Sequence, residues 1–171
     1  PDYLLTSDDK GQKAFIDLGF PKENICVSGH PYYERLEMTM KSLSEKSRDH
    51  RQKLFGTLSQ DKHVVTFLCE TLGGFDHKST HYSPEWTISG RTGTANKVLV
   101  ALECFLDSLK QVNRGDFWVV LRLHPKNTPK EFKTYSAEID QISIEENPLE
   151  IAFFSNAVCG INTSLLSEAC L

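Results

Sequence analysis

Arg122, His124 and Lys126 fall within five residues of the stretch LRLHPK, with Pro125 between the last two. An ammonium such as Lys126 is a point charge suited to phosphate. An imidazole can donate to a phosphate oxygen or to a leaving oxygen. Pro125 removes a backbone donor and holds His124 extended. A second stretch, Gly160-Ile161-Asn162-Thr163-Ser164, is followed by Glu168. Asn162, Thr163 or Ser164 can cap a helix there, and a helix start presents unpaired amides and partial positive charge that suit a phosphate. Glu168 lies one turn beyond Ser164, where a carboxylate can accept from ribose hydroxyls. A third stretch, Glu70-Thr71-Leu72-Gly73-Gly74, follows the apolar run Val64 to Cys69. Each also has a plainer reading: a strand ending at proline, a good cap beside a solvated glutamate, a polar loop.

The elements that must position these groups are visible as alternation. Val64 to Cys69 and Phe117 to Leu123 are continuous apolar runs, the mark of strands covered on both faces. Ala157 to Ile161 reads as a third buried strand, Asn24 to Ser28 as a short one, and Ile139 to Ile144 as an edge-side one. Between them, Tyr32 to Leu54 is rich in helix formers, with a break near Ser42–Ser44. Val98, Leu102, Phe105, Leu109 and Val112 recur at helical spacing. Thr128-Pro129 and Asn147-Pro148 each open a helix with a cap followed by proline, and Thr163 to Cys170 is a last helix. Strands alternating with helices predict an α/β, Rossmann-like chain, with a mostly parallel sheet and helices on both faces. Ligands of such sheets sit beyond the carboxyl ends of the strands, where all three stretches lie.

The totals narrow the classes. With 171 residues, 39% hydrophobic and 25% charged, the chain is long enough for one domain with a core, expected over residues 1–171. A net charge of −4 with interspersed signs argues against duplex nucleic acid as a partner. Five separated cysteines read as small buried hydrophobes of a reducing compartment. The longest uncharged stretch, Ile151 to Ser167, contains Asn156, Gly160 and Asn162, which argues against a membrane span. The chain opens at Pro1 without methionine and stops at Leu171 within a helical pattern, so it is expected to be a fragment of a longer protein. Cys69, His77 and His81, with Asp76 nearby, lack a fourth ligand for zinc. SGRTGT at 89–94 lacks the Gly-Lys-Ser/Thr ending of a phosphate loop. His30 reads as a strand end in a turn, and Trp86 and Trp118 as packing residues.

LRLHPK, then NPLE, then NAVCGINTSLLSEA resembles the donor-binding half of GT-B nucleotide-sugar glycosyltransferases. The likeness is nearest to sialyltransferase- and polysialyltransferase-like enzymes with an HP motif and a later Ser/Thr motif. CDP-glycerol phosphotransferases and capsule transferases share that order. NICVSGHPYYERL is similar to the GxPxxDxL segment of such chains, with Glu34 in the usual Asp region. The resemblance implies one half of a GT-B fold, with the C-terminal βα units and the N-terminal acceptor domain outside the chain. It implies a nucleotide-sugar donor, CMP- or UDP-linked, no separate cofactor, no metal, and a glycan acceptor for surface polysaccharide synthesis. His124 becomes the catalytic residue, and Arg122, Lys126, Gly73, Gly74, Asn162, Thr163, Ser164 and Glu168 the donor-binding set. Ile144 to Leu149 would flank the base, and Thr71 to Thr92 would close over the donor. The general base would lie outside the chain, leaving it with little transferase activity alone. The parent is expected in the cytoplasm, peripherally at the inner membrane face. The alternatives are a UDP-sugar 2-epimerase, with Glu70 and Glu145 or Glu146 as its carboxylates, and a Rossmann-like binding module without catalysis.

Overall fold

The computed structural model describes residues 2–46, 48–71 and 96–170. The chain divides into two compact units, Pro1–Glu45 and Lys46–Leu171. In the first, β1 (Leu4–Thr6) is followed by α1 (Asp9–Asp17), β2 (Ile25–Val27) and α2 (Pro31–Ser44). β1 and β2 pair in parallel, in the register Leu4 to Ile25. Asp8 caps α1 by accepting from the Gly11 amide at 2.6 Å. On α2, Leu36 and Leu43 are buried while most of their neighbours are exposed.

The second unit holds α3 (Arg48–Phe55), β3 (His63–Leu68), α4 (Lys97–Gln111), β4 (Phe117–Arg122), β5 (Gln141–Ser143), α5 (Pro148–Phe154), β6 (Ala157–Cys159) and α6 (Ser164–Glu168). Its sheet is parallel throughout, in the order β5-β4-β3-β6. Because strand residues alternate between faces, β3 and β4 each feed two cores. Val65, Phe67, Val119 and Leu121 meet Val98, Leu102 and Leu106 of α4. Val64 and Val120 meet Phe55 of α3 and Ile151 of α5. Burying each such side chain contributes about 1.5–3 kcal/mol. A register slip of one residue would exchange the two sets, so the central pair is firmly placed. Helices therefore cover both faces, as the continuous apolar runs predict.

The edge strands are set by the residues that precede them. Asp140 donates its amide to Val119 O at 2.9 Å, and its Oδ2 accepts from the Val119 amide at 2.7 Å. Asn156 treats Val64 the same way on the other edge, at 2.7 and 2.8 Å. A short Asx side chain thus supplies the acceptor that a strand backbone would otherwise provide.

Three expectations change. The stretch after Thr128-Pro129 forms a 3₁₀-helix, Pro129–Tyr135, although its start carries the expected capping box. Residues three apart eclipse in a 3₁₀-helix, and that period brings both Phe132 and Tyr135 into the α4-side core. β6 is not a buried strand: Ala157 and Cys159 are exposed, because among the described residues β6 pairs with β3 alone and stands at the edge of the sheet. Of the five cysteines only Cys69 is buried; Cys26, Cys104, Cys159 and Cys170 are exposed and all five are free thiols. No helix among the described residues is long and apolar enough to cross a membrane.

Candidate functional site

Beyond the carboxyl ends of β3 and β4 lies a pocket of about 130 Å³, lined by Cys69, Arg122, His124, Pro125, Pro148 and Thr163 among others. Each of these follows from a local chain signal. Arg122 ends β4, and Pro125 turns the chain after it. Pro148 opens α5 behind Asn147, whose side chain accepts from the Leu149 amide at 2.9 Å. Thr163 caps α6, its hydroxyl facing the Leu165 amide at 3.4 Å.

His124 is half-buried, and its ring is oriented by its own turn. The Lys126 amide donates to Nδ1 at 3.2 Å, and the Asn127 amide donates to the His124 carbonyl at 2.9 Å. An imidazole that accepts at Nδ1 carries its proton on Nε2, so the ring offers an N–H donor. Asn127 is 8% exposed and ties this turn to the end of β3. Its Nδ2 donates to Glu70 O at 2.7 Å and to Cys69 Sγ at 3.3 Å.

Arg122 is buried, and its charge is answered within the fold. Nη1 donates to Ser143 Oγ at 3.0 Å, and that hydroxyl donates to Glu146 Oε2 at 2.8 Å. Glu146 Oε2 stands 3.8 Å from the guanidinium and accepts from the Ile144 amide at 3.0 Å. Burial pulls the Arg122 pKa below its ordinary value, with Glu146 opposing the shift. Burial alone would raise the Glu146 pKa, but its own amide, Ser143, the Ile144 amide and Arg122 together hold it below the usual carboxylate value. Cys69 is pushed up to about 12, mainly by burial, against the Asn127 hydrogen bond. It therefore meets the pocket as a neutral thiol.

A further contact joins the two strand ends. Glu70 Oε1 accepts from the Asn162 amide at 2.5 Å, fixing the loop between β6 and α6. Within that loop, a Cβ on Gly160 would stand 3.2 Å from Leu68 O and 3.3 Å from Leu166 Cδ1. Glycine is what lets β6 end so close to β3.

Of the residues singled out in the sequence, Arg122, His124 and Thr163 share this pocket. Lys126, Asn162 and Ser164 are exposed and outside its lining, and Glu168 is buried in α6, also outside it. Gly73 and Gly74 lie outside the described residues, as do His77, His81, Asp76, Trp86, the 89–94 stretch and most of the loop from Thr71 to Thr92. Among the described residues no three His, Cys, Asp or Glu side chains gather as a metal cluster. His30 precedes α2 with its ring 4.9 Å from that of Tyr33. Trp118 packs beside Lys62 and donates to Gln141 Oε1 at 3.3 Å. Sequence reading passed over Asn127, whose position before Thr-Pro marks a turn but whose partners lie 57 and 58 residues away.

No protein-family model matches the chain, and no curated protein matches it. Solved structures do. A histidine-to-asparagine variant of the wall teichoic acid polymerase TagF, soaked with CDPG, aligns over 98% of this chain at 15% identity with a TM-score of 0.52. A histidine-to-alanine variant of TagF aligns over the same share at 16% identity with a TM-score of 0.48. This chain covers 35% of the first structure's chain and 36% of the second's. The first likeness establishes the fold class: a Rossmann-like α/β arrangement matching half of a GT-B fold.

Proposed function

We propose that the chain is the donor-nucleotide-binding half of a glycosyltransferase of GT-B type, taking a nucleotide-linked sugar or polyol. The observation that carries this reading is the pocket beyond β3 and β4 that gathers Arg122, His124 and Thr163. The Nε2–H of His124 and the Thr163 hydroxyl supply donors for a phosphate, and Arg122 adds positive potential damped by Glu146. The pocket suits a phosphate and leaves the sugar outside it. His124 stabilises the leaving phosphate in this reading. Lys126, Asn162, Ser164, Glu168 and the Gly73-Gly74 pair belong to the surrounding donor site. The sequence resemblance and the GT-B likeness support the class. The neighbour soaked with CDPG is the reason to place CDP beside CMP at the head of the donor list. The acceptor, the general base and work at the inner face of a membrane belong to the whole parent protein.

The epimerase reading has less support, because Glu70 is bound to the Asn162 amide and Glu146 to Ser143 and Ile144. Calorimetric titration with CMP, CDP, UDP and ADP separates the readings. Saturable CMP or CDP binding, weakened about tenfold in His124→Ala and in Thr163→Val, is the expected result. Preference for UDP would favour the epimerase or a UDP-sugar transferase. Absence of saturable binding by any of the four would leave only a binding module of unknown ligand.

A further inference from the structure

A second cavity, of about 490 Å³, is lined by Asp49, Arg51, Gln52, Ser59 and Gln60. Arg51 places it at the amino-terminal rim of the sheet. Its Nε donates to Phe154 O at 3.2 Å and its Nη2 to Asn156 Oδ1 at 3.0 Å, where α5 ends and β6 begins. The site described above is at the carboxyl ends of the strands, so the two are separate.

We propose that this cavity is a binding site for a neutral polyhydroxylated molecule, a sugar or polyol. The argument is one of donor and acceptor balance. Arg51 is held rigid through Nε and Nη2, which leaves the Nη1 donors unspent among the described residues. Asp49 offers acceptors, and the Gln52 and Gln60 amides each offer both a donor and an acceptor. Among the described lining residues one carboxylate stands against one guanidinium, so these two charges offset each other for a bound anion or cation. Among the described residues no aromatic side chain lines the cavity, and the Phe55 ring is covered by the Arg51 guanidinium at 5.9 Å. Those described residues give a flat apolar ligand nothing to stack on. Hydroxyl groups, which donate and accept together, match this mixture, and the volume falls within the range of small-molecule sites.

The test is NMR titration of the ¹⁵N-labelled 171-residue chain with glycerol, sucrose and inorganic phosphate. Saturable shifts from glycerol or sucrose are expected at the Gln52 and Gln60 side-chain amides and at Arg51 Nε–H. Q52A/Q60A should weaken that binding about tenfold while the spectrum stays dispersed. Gln60→Ala alone, at an exposed position, gives a partial loss and guards against misfolding of the double variant. His124→Ala should leave these shifts intact, which keeps this site independent of the nucleotide reading. Shifts from phosphate alone, shifts confined to the other rim, or no saturable shift from either polyol would overturn the proposal.

Discussion

The amide of Lys126 donates to Nδ1 of His124 across 3.2 Å, so a turn of three residues decides which imidazole nitrogen carries the proton. The ring then presents its Nε2–H as a donor. If anion binding depends on this donor, a side chain that places an N–H at the same reach should substitute for it. Gln does so through its terminal amide. His124→Ala is expected to weaken CMP or CDP binding about tenfold, and His124→Gln to recover part of that loss. Equal loss in both variants, measured by calorimetry, would remove the donor role.

Asn127 is the clamp behind that ring. It is buried and bonds two groups at the end of β3, so removing its side chain strands the Glu70 carbonyl and frees the turn. Asn127→Ala is expected to cost about 1–3 kcal/mol of stability, lowering the thermal midpoint by several degrees, at about 2–4 °C per kcal/mol for a chain of this size. Nucleotide affinity should fall with it, even though Asn127 is not in the pocket lining. Urea unfolding followed by titration of the folded variant reads both effects.

What the sequence disclosed, and what it hid, follows from how each element is stabilised. β3 and β4 were legible because burial on both faces demands unbroken apolar runs. α4 was legible from its stripe, and α5 from Asn147-Pro148. β1 and α1 went unread: β1 has three residues, and α1 has no buried residue to imprint a stripe. β6 looked like a core strand because Ala, Val and Cys suit either setting, and only pairing partners distinguish an edge from a centre. In the pocket, Arg122, His124 and Thr163 could be named from local motifs. The Glu70 contact to Asn162 spans 92 residues and leaves no local trace.

The cysteines give a direct check on the pocket's interior. A thiol with a pKa near 12 is ionised to only ~10⁻⁴ at pH 8, and Cys69 is also shielded. Cys26, Cys104 and Cys170 are exposed and should alkylate first with iodoacetamide. Cys159, exposed but with its pKa raised chiefly by burial of its sulfur, should follow. Cys69 should react only on unfolding. Peptide mapping by mass spectrometry at successive times orders the five sites, and early labelling of Cys69 would contradict the packed pocket floor.

Glu150 provides a pH test of the contact between the start of α3 and α5. Its Oε1 pairs with Lys46, and its Oε2 lies 3.0 Å from His50 Nε2. The Lys46 hydrogen bond is the main cause that lowers its pKa; burial opposes it, and His50 adds to the lowering. A carboxylate whose folded pKa is depressed stabilises the fold above its unfolded value of about 4.3, and that contribution is lost as pH falls through the folded pKa. Glu150→Gln should therefore be less stable than the parent by about 1–3 kcal/mol at pH 7. The gap should shrink as pH drops below about 4.3, because the parent's own carboxyl is then being protonated. Chemical unfolding of both proteins at pH 7, 5 and 3.5 follows that gap. A difference that stayed constant across the series would mean the side chain acts through packing, and the ion pair with Lys46 would no longer explain why α3 and α5 are held together.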